Sequence, residues 1–417
     1  MKEKVFFKTF GCRTNIYDTE LLKRYVKDFE ITNDEKEAQI VVVNSCTVTN
    51  GADSGIKSYI NTMKKQGIKV ILTGCGAVSK GKELLEQKQI FGVLGASNKD
   101  KINEFLSAKT SFYELGNLNF IDKDIVCEYE NHTKAFVKIQ EGCDFACSYC
   151  IIPSVRGKSR SVEEKDLLKQ VEILAQNGYS EIVLTGTNIG SYGIKNGTTL
   201  GKLLQKMGKI SGIKRIRLGS LEPAQIDESF LEILNEAWIE KHLHIALQHT
   251  SEKMLRIMRR RSHTDNDLKL FDHIASKGFA LGTDFIVGHP GESEYIWSEA
   301  LNHFKNFPLT HIHAFIFSPR NNTHSATMKE DLVSGDVAKE RLNLLKDIVE
   351  KNNYEFRKKN KAPLEILVET QKDGLFEGYD QFFNKIKIKS DRDIAKEWLL
   401  IDRYEIQEKY NFSNLQG

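Results

Sequence analysis

The chain has 417 residues, of which 40% are hydrophobic and 28% charged, with six prolines; this balance excludes disordered and collagen-like classes and predicts two or three folded domains. A net charge of +3 is too small to mark a nucleic-acid partner by itself. No run approaches the roughly 18 apolar residues of a membrane span, and Met1 to Phe7 carries an early acidic residue unlike a secretory signal; the expectation is a cytoplasmic protein with no membrane partner, whose seven cysteines are metal ligands or catalytic groups rather than disulfides.

Residues 1–110 alternate β-branched runs, at 5–10, 40–43, 69–73 and 91–94, with apolar residues at helical spacing over 18–29, 53–66 and 82–87. This predicts an open parallel α/β sheet. Cys12, Cys46 and Cys75 each fall two or three residues past a predicted strand end. Such ends share one edge of the sheet, the edge at which these folds bind ligands, so three thiols remote in sequence can meet there. The alternative is three ordinary buried thiols, since free cysteine packs as a small hydrophobe. Residues 111–132 lack periodicity and read as a linker.

Over 133–360, strand patterns at 136–140, 181–185, 215–218, 242–247, 283–287 and 311–317 are each followed by a helical pattern. Six β/α units predict a partial (β/α)6 barrel of the TIM type, with chemistry at the C-terminal strand ends. Those ends carry Cys143, then Gly186, Thr187 and Asn188, then Glu222, Gln248, His289 and Arg320. Gly186 to Asn188 read either as exposed backbone for a ligand or as a helix-leading turn. Glu222, Gln248 and Arg320 read as cofactor or substrate contacts or as solvated loop residues. The arginine clusters at 256–261 and 156–160 read as solvated faces. Residues 361–417 change to short strands without helices, which predicts a small β-barrel. Lys385, Lys387 and Lys389 alternate along one of these strands beside Phe382 and Phe383, a basic face suited to a phosphate backbone or to protecting a strand edge.

The segment from Glu141 to Pro153 holds Cys143, Cys147 and Cys150, separated by three and then two residues. One loop can wrap that spacing around one metal centre. A structural zinc site or an electron-transfer cluster takes four protein ligands, and no fourth is adjacent. Cys127 lies on the far side of a predicted strand and reads as structural.

Cys-x3-Cys-x2-Cys after the first barrel strand resembles the radical S-adenosylmethionine superfamily. Together with Thr9-Phe-Gly-Cys-Arg-Thr-Asn15, Val43-Asn-Ser-Cys-Thr-Val-Thr49 and Leu72-Thr-Gly-Cys75, the whole chain is similar to the methylthiotransferases, most of all to the branch acting on threonylcarbamoyladenosine in tRNA. That resemblance implies a 4Fe-4S cluster on Cys143, Cys147 and Cys150 that binds and cleaves S-adenosylmethionine. It further implies a second 4Fe-4S cluster on Cys12, Cys46 and Cys75; if the barrel-mouth positions are ligand contacts rather than turns and solvated loops, Gly186, Thr187, Asn188, Glu222 and Gln248 are the ones that would meet the cofactor. The C-terminal module is then TRAM-like and RNA-binding, the partners are tRNA and an electron donor such as a flavodoxin or ferredoxin, and the reaction converts N6-threonylcarbamoyladenosine at position 37 to its 2-methylthio derivative. The rival substrates are isopentenyladenosine in tRNA and an aspartate of a ribosomal protein; the non-enzymatic rival is a zinc-containing RNA-binding protein. His249 and His289 depart from the family pattern, and packing roles are expected for both.

Overall fold

The computed structural model describes residues 2–47, 50–130, 132–330, 332–361 and 363–415. The N-terminal sheet is parallel throughout: β1 (Lys4–Thr9), β2 (Glu30–Ile31), β3 (Ile40–Ser45), β4 (Lys69–Gly74), β5 (Gly92–Leu94) and β6 (Phe112–Glu114) lie in the order β2-β1-β3-β4-β5-β6. Every residue of β3 is buried, as a central strand covered on both faces requires. Val41 and Val43 pack with Ile56, Ile60 and Met63 of α2 (Asn50–Lys65) and with Leu84 of α3 (Cys75–Glu86). Ile40 and Val42 pack on the opposite face with Leu22 of α1 (Arg13–Tyr25) and with Ile102 and Leu106 of α4 (Ile102–Leu106). α1 begins five residues before the expected start at 18, because its first turns bury Thr14, Asn15, Asp18 and Thr19, a polar face that apolar periodicity does not register. Past β6 the chain contributes buried Asp122, Val126 and Tyr129.

The central unit runs β7 (Ala135–Glu141), α5 (Ile152–Arg156), β8 (Arg160–Ser161), α6 (Glu164–Gln176), β9 (Glu181–Gly186), α7 (Leu200–Met207), β10 (Arg215–Leu218), α8 (Glu228–Glu232), β11 (His242–His244), α9 (Glu252–Ile257), α10 (Thr264–Ser276), β12 (Ala280–Val287), α11 (Glu294–Phe304), β13 (Leu309–Ile316) and α12 (Gly335–Lys359). Strands β7, β9 and β10 pair in parallel, as do β11, β12 and β13, and parallel bridges Ile216–Ile239 and Leu221–Ile245 join the two groups. The six-strand series is the expected partial barrel, with β8 antiparallel on the outer side of β7. The helix expected over 226–238 is only α8 plus a short 3-10 turn. The chain must straighten there to lay the Trp238 ring against Gly208, where an added Cβ would sit 2.1 Å from the ring.

The N-terminal unit docks through α1: Tyr17 and Leu21 join the barrel core, and Thr14 shares a hydroxyl hydrogen bond of 3.0 Å with Thr185 on β9. The C-terminal unit is a curled six-stranded sheet of β14 (Leu364–Lys372), β15 (Leu375–Tyr379), β16 (Lys385–Ser390), β17 (Trp398–Ile401), β18 (Glu405–Ile406) and β19 (Asn411–Leu415). It closes on Ile366, Val368, Phe376, Ile386 and Ile388. Its seam with the barrel is charged: Lys134 pairs with Glu369 at 2.6 Å, Arg215 donates to the Glu365 carbonyl at 3.0 Å, and Arg217 donates to the Asp380 carbonyl at 3.3 Å. No helix among the described residues is long and apolar enough to cross a membrane.

Candidate active site

The cysteine loop leaves β7 at Gly142, whose φ is +75° and where a Cβ would lie 2.1 Å from the Lys158 carbonyl, so no other residue can start it without displacing backbone. The Cys143 amide then donates to the Gly157 carbonyl at 3.1 Å and the Ser148 amide to the Met258 carbonyl at 2.9 Å. Cys143, Cys147 and Cys150 all line one cavity of about 450 Å³ at the C-terminal ends of the barrel strands. Donors converge on their sulfurs: the Phe145 amide (3.4 Å) and Asn188 Nδ2 (3.6 Å) on Cys143, and Arg260 Nη1 (3.7 Å) on Cys147. Burial pushes the Cys150 thiol up to about 12 and raises Cys143. Such thiols stay protonated at neutral pH unless a metal takes them as thiolates, which those donors then support.

The second trio forms where three strands end. Cys12 precedes the first turn of α1, Cys46 follows β3 directly, and Cys75 opens α3. Gly11, at φ +100°, lets two of these loops touch, since a Cβ there would sit 2.4 Å from Cys46 Cβ. Cys12 lines the same cavity as the three loop cysteines. Cys75 is buried, with Arg156 Nε 3.0 Å from its sulfur. Burial raises Cys75 to about 11 against the pull of Arg156, with Cys12 and Cys46 close enough to add to the rise. Among the described residues, the one trio of His, Cys or carboxylate donors lying mutually within 4.8 Å is His244, Asp284 and His313. The all-thiol donor sets fit iron–sulfur clusters.

A buried charge network ties the two trios together. Arg156 Nη1 lies 2.9 Å from Asp18 and 2.6 Å from Glu141, and Nη2 donates to Asn15 Oδ1 at 2.7 Å. Lys138 Nζ reaches Asp18 at 2.6 Å, and Lys99 reaches Asp122 at 2.9 Å. Each of these charged side chains is at most 5% exposed. Burial opposes ionisation of Glu141, yet Lys138 and Arg156 pull its pKa down to about 2. Arg156 thus joins Asp18 on α1, Glu141 at the end of β7 and the sulfur of Cys75.

Thr187, Asn188, Glu222 and Gln248 line the cavity, and Gly186 ends β9 just behind it. Thr187 Oγ1 accepts from the Gly142 amide at 3.2 Å, and the Asn188 amide donates to Gln140 Oε1 at 2.8 Å. Asn188 Oδ1 is buried without a hydrogen-bond partner. Burial raises the Glu222 carboxyl while Arg260, 2.9 Å away, opposes the rise. Gln248 holds φ at +66°, a left-handed conformation that costs about 1–3 kcal/mol in a non-glycine residue and is typical of ligand sites. Arg320 also lines the cavity and pairs with Asp53 of α2 at 2.6 Å. His249 and His289 have packing partners, the first against Phe285 and the second bonded to Ser325 at 2.8 Å. Cys127 lies in a separate recess, 3.9 Å from Arg24 Nη1.

Sequence reasoning missed Arg156 and Arg260, both within arginine clusters that resemble solvated faces. The side chain of Arg260 is 1% exposed, and neither spacing nor composition distinguishes either residue from its neighbours. Lys385, Lys387 and Lys389 do alternate with buried Ile386 and Ile388, although Glu377 pairs with Lys385 at 2.7 Å. The flanking aromatics are not on that face: Phe382 packs on Phe356 of α12, and Phe383 stacks on His242 and Tyr379 beneath the barrel.

Comparison with known proteins matches residues 4–95 to the family described as Uncharacterized protein family UPF0004 and residues 137–303 to the Radical SAM superfamily. A Helicobacter pylori protein assigned provisionally as a methylthiotransferase is 52% identical over 98% of this chain and 99% of its own. The threonylcarbamoyladenosine tRNA methylthiotransferase MtaB of Aquifex aeolicus is 35% identical over 86% of this chain and 91% of its own. A tRNA-2-methylthio-N(6)-dimethylallyladenosine synthase of Pseudothermotoga lettingae is 32% identical over 94% of each chain. Among solved structures, the radical S-adenosylmethionine methyltransferase TsrM of Kitasatospora setae superposes with a TM-score of 0.61 at 15% identity, over 78% of this chain and 77% of that one, a likeness of fold.

Proposed function

The chain belongs to the methylthiotransferases of the radical S-adenosylmethionine superfamily, and we propose that it installs the 2-methylthio group on N6-threonylcarbamoyladenosine at position 37 of tRNA. The observation that carries this reading is that Cys12 of the N-terminal sheet opens onto the same cavity as Cys143, Cys147 and Cys150. Cys143, Cys147 and Cys150 would hold one 4Fe-4S cluster together with S-adenosylmethionine, and Cys12, Cys46 and Cys75 the other. Bound there, these groups supply the radical chemistry and the sulfur that an unactivated C2–H of adenine demands, which acid–base catalysis cannot provide.

The chain's own residues bind, orient and shield. Thr187, Asn188 and the Glu222–Arg260 pair present polar atoms beside the cysteine loop, suited to the amino-acid end of S-adenosylmethionine, with Gly186 leaving backbone open behind them. Phe145, Tyr149, Phe315 and Phe317 wall the cavity and give adenine rings apolar surfaces that exclude water. Gln248 and Asp284 add polar atoms to the lining, able to hydrogen-bond the hydroxyl and urea of a threonylcarbamoyl group, groups that a dimethylallyl chain lacks. The name of the Aquifex relative, at 35% identity, favours the same substrate. The outward lysines of β16 suit the tRNA backbone, and a flavodoxin or ferredoxin in the cytoplasm would supply electrons.

Mass spectrometry of nucleosides from the tRNA of a deletion strain tests the proposal. The 2-methylthio-threonylcarbamoyladenosine signal should vanish while threonylcarbamoyladenosine accumulates. An unchanged level would reject the substrate, and loss of the methylthio-isopentenyl nucleoside instead would assign the rival one.

A further inference from the structure

Beneath the cavity the barrel carries four histidines on two strands, His242 and His244 on β11 and His311 and His313 on β13, with Asp284 on β12 between them. Neither cysteine trio uses this group. Asp284 and His313 are register partners across β12 and β13, and His244 pairs in register with Gly282, two residues before Asp284 on the same strand face. Period-two alternation therefore brings the three side chains together on the face lined by Asp284. His244 Nε2 lies 3.1 Å and His313 Nδ1 3.5 Å from the same oxygen, Asp284 Oδ1. The two imidazole rings lie 4.8 Å apart between centroids with a 30° tilt.

Both histidine–carboxylate distances are ion-pair contacts, so two imidazoles share one carboxylate oxygen. His244 is 8% exposed, and its Nε2 has no hydrogen-bond partner despite the nearby carboxylate. The nitrogen approaches the oxygen but its bonding direction does not run along the line joining them. Donor atoms bound to one ion at about 2.0–2.2 Å stand roughly 3–3.5 Å from one another; the two histidine–carboxylate distances fall in that range, and all three donor atoms lie within 4.8 Å of one another. A buried imidazole nitrogen left without a partner also carries a desolvation cost that an ion would relieve.

We propose that His244, Asp284 and His313 form a binding site for a divalent transition-metal ion beneath the active-site cavity, distinct from both cysteine trios. Two imidazoles and one carboxylate occupy one side of the ion and leave coordination positions free, an arrangement suited to Fe(II), Co(II), Ni(II) or Zn(II) rather than to magnesium or calcium, which take oxygen-rich shells. Asp284 lines the cavity, so the site lies beside the place proposed for the nucleoside. The site itself does not depend on which nucleoside is bound.

The test is Co(II) binding by anaerobically reconstituted full-length protein, with both clusters held in their oxidised, EPR-silent form and iron content measured on every sample. One equivalent of high-spin Co(II) should bind after desalting, with imidazole nitrogen couplings in its pulsed EPR spectrum. His244→Ala, Asp284→Ala and His313→Ala should each abolish it at the same cobalt concentration while retaining wild-type iron. His313 provides the safeguard against misfolding, because its side chain is 65% exposed and its removal leaves the barrel packing in place. Absence of bound Co(II) in the wild type, or an equivalent retained by all three variants, would overturn the proposal.

Discussion

Arg156→Ala should separate the two halves of the chemistry. The guanidinium touches Asp18, Glu141, Asn15 and the sulfur of Cys75. Its removal leaves two carboxylates in a site no more than 5% exposed, with Lys138 as their nearest remaining cation, at 2.6 Å and 3.3 Å. Deleting one partner of a buried ion pair costs about 3–5 kcal/mol, and the surviving lysine puts the expected loss near the lower figure. The damage should fall on the N-terminal trio, since Cys75 also loses its N–H donor while the donors to Cys143 and Cys147 remain. Denaturant unfolding, iron analysis and product assays should show lower stability, iron falling toward half, 5'-deoxyadenosine still formed and methylthiolated nucleoside reduced at least tenfold. Arg156→Lys should recover part of the stability but not the bond to Cys75. A variant with full iron and wild-type methylthiolation, or one that loses deoxyadenosine formation first, would refute the reasoning.

Glu181→Gln should loosen the seam between barrel and C-terminal sheet by about 3–5 kcal/mol, because it takes the buried carboxylate from Arg215 and Arg217, bound at 2.6 Å and 2.5 Å, and leaves Arg217 with Glu240 alone. Burial opposes ionisation of Glu181, but Arg217 and Arg215 bring its pKa down to about 2 from 4.5. Its contribution is therefore complete above pH 4.5 and lost as the pH falls toward 2; the variant should unfold with a shallower acid limb, and an unchanged limb would count against the pairing. Cys127→Ser should leave iron content and both products unaltered, and any loss of iron would give that thiol a role it lacks here. Replacing Lys387 and Lys389 with Ala should raise the KM for tRNA and cut the slope of log affinity against log salt by about 0.7–0.9 for each phosphate no longer neutralised, while deoxyadenosine formation without tRNA persists; an unchanged slope would remove β16 from the RNA path.

The barrel was legible because its signals are local: β-branched runs mark strands buried on both faces. The three-then-two spacing likewise placed Cys143, Cys147 and Cys150 on one loop, and the strand-end positions of the remote cysteines brought Cys12 to the same cavity. What sequence did not disclose lies where polar groups are buried against polar groups. The first turns of α1 carry Thr14, Asn15 and Asp18 into the barrel seam, so the helix escapes a search for apolar periodicity. Arg156 and Arg260 look like surface arginines until the carboxylates of Asp18, Glu141 and Glu222 are folded around them from 15 to 138 residues away. The His244–Asp284–His313 group is assembled from three strands and has no signature along the chain. Phe383, beside a basic strand, suggests an RNA-facing surface, but its ring fills the junction between the C-terminal sheet and the histidine floor of the barrel.

Division of labour between two cysteine sets at one cavity is tested most directly by replacing each set with alanine and measuring iron, deoxyadenosine and methylthiolated nucleoside together. The variant lacking Cys12, Cys46 and Cys75 should keep half of the iron and still generate deoxyadenosine, yet form no methylthio product; the variant lacking Cys143, Cys147 and Cys150 should keep the other half and generate neither. Deoxyadenosine formation surviving in the second variant, or methylthiolation surviving in the first, would contradict the account.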